Sequence, residues 1–193
     1  MTLAQTIRKI LYPLAILLKV GRGQRITNSS NTKPLQSFYK LKAITNDGQE
    51  YSFENLKGKK VTIVNTASDC LFTNQYKELE KLYQLYQDRL VILGFPSNDF
   101  GKQEKGTDND IAEFCQINFH VTFPLMQKSI VAKKDRQSEV YQWLTDADKN
   151  GWNNQPPVWN FSKYLINEEG ILMDYFGPAI SPLSQQVKNV ITQ

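Results

Sequence analysis

The chain is poor in the side chains that most active sites draw on. Its 193 residues hold one histidine, His120, and two cysteines, Cys70 and Cys115. A zinc site of cysteine and histidine needs four ligands, and these three cannot complete one, so no resident metal is expected. A Ser-His-Asp or Cys-His mechanism would have to run through His120. Flanked by Phe119 and Val121, that residue reads instead as an ordinary core or sheet-edge histidine. Two cysteines are also too few for the disulfide framework of a small secreted domain, so a reducing, cytoplasmic setting is expected.

Long apolar runs are missing too. The longest near the N-terminus spans Ile10 to Leu18, nine residues, whereas a membrane-spanning helix needs about 20. Residues 1–46 lack acidic side chains altogether but carry eight basic ones: Arg8, Lys9, Lys19, Arg22, Arg25, Lys33, Lys40 and Lys42. The remainder holds 15 basic and 19 acidic residues, so the basic character belongs to the N-terminus. No basic groove interleaved with aromatics occurs in the body, which argues against nucleic acid as a partner. Hydrophobic residues make up 40% of the chain, enough for a core and too many for a disordered or fibrous protein.

What is present divides the chain in three. Leu3, Ile7, Ile10, Leu11, Leu14, Leu17 and Leu18 recur at helical spacing beside Arg8, Lys9 and Lys19, so residues 1–20 read as a basic amphipathic helix. Pro13 would kink it, and no small-residue cleavage site follows its apolar centre. Two uses stay open for this helix. It can lie peripherally on an anionic membrane surface, or pack on the domain behind it. Residues 21–36, rich in Gly, Asn and Ser, read as a flexible linker, and residues 37–193 as the domain proper.

Within that domain, residues 38–53 alternate around Asn46-Asp47-Gly48, a hairpin signature. Residues 59–67 and 90–96 are continuously apolar, like strands buried on both faces. Between them Leu79, Leu82, Tyr83, Leu85 and Tyr86 predict a helix over 76–88. Such a β-α-β unit implies parallel strands joined by a right-handed crossover. A helix is expected at 108–119, capped by Thr107 or Asp108. A short strand interrupted by Pro124 is expected at 121–128, and a helix at 138–146. A hairpin follows at 163–176, turning at Glu168–Gly170. The last helix is expected at 181–192, with Ser181 as cap and Pro182 in its first position.

Cys70 is the residue with chemical promise. It follows a buried strand and precedes a helix, at the carboxyl end of a parallel strand where open α/β sheets bind ligands. A helix N-terminus nearby would favour the thiolate. The residue three positions on is Thr73, so this is CxxT and not the CxxC of a dithiol oxidoreductase. A single reactive thiol there suits peroxide reduction by way of a sulfenic acid. The alternative, a small buried hydrophobe, is the usual fate of a cysteine, and position alone does not choose between them.

Four stretches decide in favour of chemistry. VNTASDCLFTNQY (64–76), LGFPSNDFGKQEKGT (93–107), FHVTFPL (119–125) and WNFSKYLINEEG (159–170) resemble, in order and spacing, the motifs of the glutathione peroxidase family. The resemblance covers residues 37–192. It implies an α/β, thioredoxin-like fold: a central mixed sheet flanked by helices, here with an N-terminal hairpin and the basic extension. It also implies a thiol-dependent peroxidase of hydrogen peroxide and organic or lipid hydroperoxides, with an antioxidant role. Cys70 corresponds to the peroxidatic cysteine. Gln103, Trp159 and Asn160 correspond to the glutamine, tryptophan and asparagine around it, three donors that can hold a thiolate and a peroxide without a histidine. No cofactor is implied, and the reducing co-substrate is glutathione or thioredoxin. Cys115 becomes the candidate resolving thiol, although the family's resolving cysteine aligns with Gln116. Asp69, Leu71, Ser97 and Asp99 depart from the family pattern. Asp69 is a negative neighbour opposing the thiolate, and Ser97 removes a disulfide partner. These departures motivate the competing reading, a thioredoxin-fold sensor or binding protein without turnover. The segment at 145–158 is shorter than the insertion of the family's tetrameric members, so the resemblance implies a monomer with an open site, and Trp152 is read as part of its rim.

Overall fold

A computed structural model describes residues 24–193. The amphipathic helix expected at 1–20 lies outside the described residues. Seven strands form the sheets: β1 (Arg25–Thr27), β2 (Lys42–Ile44), β3 (Glu50–Ser52), β4 (Lys60–Thr66), β5 (Leu90–Pro96), β6 (Lys163–Ile166) and β7 (Leu172–Phe176). Among the described residues five α-helices accompany them: α1 (Gln75–Tyr86), α2 (Asp108–Phe119), α3 (Glu139–Leu144), α4 (Ala147–Asn150) and α5 (Gln185–Thr192). Strands β2 and β3 make the expected hairpin. The other five form one mixed sheet in the order β1-β7-β6-β4-β5, with β4 and β5 parallel and the remaining pairs antiparallel.

Every residue of β4, β5 and β6 is buried. Alternate side chains supply two cores, one on each face of the sheet. Val61, Ile63, Val91, Leu93, Phe95, Tyr164 and Ile166 face a cluster that includes Trp143, Tyr141 and Phe38. Val64, Leu90, Ile92 and Leu165 face the other, with Tyr76, Leu79 and Leu82 of α1 and Ile111 and Cys115 of α2. The continuous apolar runs of the sequence thus become two-sided burial, and α1 and α2 cover the face on which Cys115 lies.

Several boundaries differ from the sequence reading. Residues 25–36 are not a free linker. Arg25–Thr27 pairs with β7, and the buried carboxylate of Asp174 takes hydrogen bonds from Arg25 Nε (2.8 Å) and Thr27 Oγ1 (2.7 Å). Farther on, Trp143 Nε1 donates to the carbonyl of Gln36 (2.7 Å). A polar composition says nothing of an open sheet edge and a buried acid elsewhere in the chain, and these are what hold the segment.

Residues 121–128 form no strand of their own. Only isolated bridges from Leu125 and Met126 remain, beside a proline with no N–H to pair. The last helix begins at Gln185 and not at 181. Ser181 Oγ donates to Glu78 of α1 and accepts the Leu183 N–H (3.1 Å), closing a turn ahead of the helix, whose cap position falls to Ser184. Thr107 is the cap of α2, in a reciprocal capping box with Asp110. His120 ends α2 as an exposed residue in the left-handed conformation (φ 53°), outside the core. Trp152 belongs to the Trp143 cluster, its indole N–H bonded to Leu172 O (2.7 Å), and not to a site rim.

Candidate active site

The site hangs from the carboxyl end of β4. After Thr66 the chain enters a tight turn before α1, and Thr73 holds it. The Thr73 hydroxyl donates to Ala67 O (3.0 Å) and accepts from the Cys70 N–H (2.9 Å), while the Thr73 N–H closes onto Cys70 O (3.1 Å). The threonine of CxxT is therefore the residue that fixes the Cys70 backbone, a role that its pairing with Cys70 in the sequence did not disclose. Asp69 is exposed, and its N–H bonds to Gln103 O (3.1 Å), which ties the Gln103 loop to the Cys70 turn.

Cys70 is half-buried and packs, as Phe72 and Phe100 do, against Trp159. The Phe72 N–H lies 3.5 Å from Sγ, and the nearby side-chain donors of Asn160 and Trp159 favour the thiolate. Asn160 Nδ2 also donates to Gln103 Oε1 (2.9 Å). All four residues singled out in the sequence are thus brought together, although they come from three separate segments. Trp159 is 7% exposed and Asn160 not at all, so the donors are fixed by packing as well as by hydrogen bonds. Phe100 lies against the Trp159 ring at 5.7 Å.

The electrostatics correct one expectation. Burial pushes the Cys70 thiol above its ordinary value, and the donors of Phe72, Asn160 and Trp159 pull it back only in part, with Asp69 adding a small upward push. The lowering expected from a helix N-terminus is not the dominant effect. Cys70 lies in the turn ahead of α1, where the one backbone N–H reaching its sulfur is that of Phe72. Asp69 opposes the thiolate as expected, but it is exposed and its push is the smallest of these effects.

Two residues of the motifs take roles the sequence did not reveal. Asp99 is structural: its carboxylate accepts the N–H groups of Val131 (2.7 Å) and Ala132 (2.9 Å) and pairs with Lys134 (2.7 Å). Burial alone would raise its pKa, and these partners outweigh it and hold the carboxyl below the usual range. Glu104, next to Gln103, is 1% exposed and accepts from Ser68 Oγ at 3.1 Å. Burial raises its pKa to about 7. It lines a cleft of about 270 Å³ beside Asp69, Lys105 and Phe114.

Cys115 is fully buried in α2, apart from the Cys70 turn in sequence and facing the core. Burial raises its pKa to about 11, against a smaller lowering by the Tyr76 hydroxyl. Both cysteines are free. Among the described residues no three His, Cys, Asp or Glu side chains cluster to hold a metal ion.

A thiol peroxidase on a thioredoxin-like fold is the class that this arrangement defines. A lone thiol under neutral donors cannot carry out dithiol exchange by itself, but it can attack a peroxide oxygen. The comparisons narrow the class. The family model for glutathione peroxidase matches residues 38–145. The glutathione peroxidase-like peroxiredoxin 2 of Saccharomyces cerevisiae is 44% identical over 160 residues, covering 81% of this chain and 98% of its own. The glutathione peroxidase homolog BsaA of Staphylococcus epidermidis is 43% identical over 158 residues, covering 81% and 98%. The crystal structure of Trgpx in its apo form superimposes with a TM-score of 0.63 at 34% identity, over 81% of this chain and 94% of that one. A DsbF homologue from Corynebacterium diphtheriae shares the fold alone, with a TM-score of 0.58 at 12% identity over 87% and 89%. The chain belongs to the glutathione peroxidase family, and it is a peroxidase of the oxidoreductase class. These relationships support turnover and not the non-catalytic sensor.

Proposed function

We propose that Cys70 is the peroxidatic cysteine, with Gln103, Trp159 and Asn160 as the donors that hold its thiolate and the peroxide. The substrates are hydrogen peroxide and organic hydroperoxides, those of lipids included. The observation that carries this reading is the gathering of the four residues at one place: Cys70 packs against Trp159, Asn160 Nδ2 donates to Gln103 Oε1 (2.9 Å), and the Asp69 N–H ties the Gln103 loop to the Cys70 turn (3.1 Å). In the first step Cys70 gives up its proton and the thiolate attacks one peroxide oxygen. The S–O bond forms as the O–O bond breaks, and the departing oxygen takes the bonding pair and a proton to leave as water or an alcohol. Cys70 becomes a sulfenic acid. A thiol then attacks its sulfur, expelling water and forming a disulfide, and a second thiol reduces that disulfide to restore Cys70.

The reducing thiol is glutathione or thioredoxin. In the thioredoxin-coupled route Cys115 acts as the resolving thiol. Its complete burial means that α2 must open around it, since a disulfide needs Cα atoms within about 7 Å. Intact-mass measurement seconds after one equivalent of hydrogen peroxide distinguishes the routes. Loss of two hydrogens with a Cys70–Cys115 link is expected for thioredoxin, and a trapped sulfenic acid for an external thiol. Full thioredoxin-coupled turnover in Cys115→Ser would remove Cys115 from the mechanism. An unmodified Cys70 after minutes would overturn the assignment of the nucleophile.

The protein is read as a cytoplasmic monomer that meets anionic membrane surfaces through residues 1–20. The support is the absence of acidic side chains from residues 1–46. Deleting residues 1–20 leaves β1 intact and is expected to lower sedimentation with phosphatidylserine vesicles several-fold. Unchanged sedimentation would sink the anchor.

A further inference from the structure

We propose that Asn65 is a positioning residue for the reaction, holding Trp159 and Asn160 over Cys70. The inference rests on the donor roles proposed above for those two residues. Asn65 is the penultimate residue of β4, five positions before Cys70, and is fully buried. Four hydrogen bonds join it to the segment that delivers the donors. Its backbone N–H donates to Ser162 O (3.3 Å), and its carbonyl accepts the Phe161 N–H (2.6 Å). Its side chain adds two more: Nδ2 donates to Trp159 O (3.1 Å), and Oδ1 accepts the Ser162 N–H (3.1 Å).

The segment needs such a clamp. Phe161 sits in the left-handed region (φ 66°), a conformation that a bulky non-glycine residue holds only when its surroundings impose it. That twist carries Trp159 and Asn160 out of line with β6 and toward Cys70. It also leaves the Trp159 carbonyl and the Ser162 N–H off the regular sheet ladder, in a buried place where unpaired polar groups are costly. Ser162 Oγ makes a second bond to Trp159 O (2.9 Å) and meets the Tyr175 hydroxyl (3.3 Å). Asparagine fits because a short side chain must offer a donor and an acceptor at once. Aspartate would keep the Ser162 bond but turn a negative oxygen toward the Trp159 carbonyl. Alanine would lose both. The strand end that leads into the nucleophile therefore also sets the height of its donors, and Asn65 acts on sulfur only through them.

The test compares Asn65→Ala, Asn65→Asp and Ser162→Ala with the wild-type chain, and with Trp159→Phe and Asn160→Ala. Each is characterised by the pH dependence of Cys70 alkylation with iodoacetamide, the stopped-flow rate of oxidation by hydrogen peroxide, and the melting temperature. Both Asn65 variants are expected to raise the apparent pKa of Cys70 by about one unit and to slow oxidation about 10- to 100-fold, the usual cost of losing a supporting contact behind a reactive group. Ser162→Ala is expected to slow it several-fold with the fold retained, and it carries the test should the Asn65 variants not fold. A lower melting temperature with wild-type alkylation and oxidation would overturn the inference and leave Asn65 a merely structural residue. If Trp159→Phe and Asn160→Ala leave Cys70 chemistry unchanged, the donor assignment itself fails and the positioning role falls with it. If they slow oxidation while the Asn65 and Ser162 variants do not, the donors stand and only the role of Asn65 is rejected.

Discussion

Cys70→Ser is expected to abolish peroxide reduction, lowering the second-order rate constant by at least about 1000-fold. The substitution is close to isosteric, so the Thr73 bonds that shape the turn survive and the fold should be retained. What is lost is the thiolate, since a serine hydroxyl is not appreciably ionised at neutral pH and is a poor nucleophile toward a peroxide oxygen. No other group takes over. Cys115 is the only other thiol, and it is fully buried with its pKa raised to about 11. A coupled assay with each reductant, backed by intact mass after peroxide, measures the effect. Turnover within tenfold of wild type would mean that the reacting thiol is Cys115 and that α2 opens readily in the resting protein.

A second large effect concerns stability against pH, and it comes from two buried groups of opposite kind. Lys163 on β6 is fully buried, with its ammonium bonded to Gln75 Oε1 (3.0 Å) and Ile180 O (2.5 Å). Burial lowers its pKa to about 7, against a smaller upward pull from Glu78. Glu104 shifts the other way, its pKa raised by burial to about 7 despite the Ser68 bonds. Between pH 5 and 7 the folded chain keeps the Glu104 proton that the unfolded chain has released. The stabilisation from this group is therefore lost as pH rises, by about 2 kcal/mol. Between pH 7 and 9 the unfolded chain keeps the Lys163 proton that the folded chain has given up. Stability then rises with pH, again by about 2 kcal/mol. Above pH 9 the raised pKa values of Cys70, Cys115 and Tyr76 act in the opposite sense and close the window.

The expected result is a minimum in unfolding free energy near pH 7, read from urea denaturation of the reduced protein at pH 5, 7 and 9. Glu104→Gln should flatten the acid limb and Lys163→Met the alkaline one, each without touching the other. A flat wild-type profile would mean that solvent reaches both groups in the folded protein. The function gives this dip some interest, because Glu104 adjoins Gln103 and Gln75 opens the helix that follows Cys70. The site is thus built beside groups that are costly to bury in their charged forms.

The order of elements was legible in the amino-acid pattern because it rests on local periodicity. The continuous runs around Val61–Val64 and Val91–Phe95 could only be two-sided strands, and the spacing of Leu79 and Leu82 could only be a helix face. Thr107 and Asp108 marked the start of α2, and the structure chose Thr107 as its cap. The place of Cys70 at a strand end followed from the same pattern, and the motifs around Gln103, Trp159 and Asn160 identified its companions. The strap at 25–36, the shortened last helix and the fate of residues 121–128 were not legible, because each depends on a partner far away in the chain: Asp174 for Arg25, Glu78 for Ser181, and the edge of β5 for Leu125.

The sequence by itself determined the class of fold, which follows from side-chain spacing and local propensity, and its four motifs named the candidate nucleophile and the residues that could surround it. Only the tertiary structure decided how those residues act. Burial and not a helix end dominates the thiol's ionisation, Thr73 shapes the turn, and Asn65 braces a strained segment that carries two donors. Desolvation and hydrogen-bond geometry arise only when distant segments meet, and no local pattern encodes them.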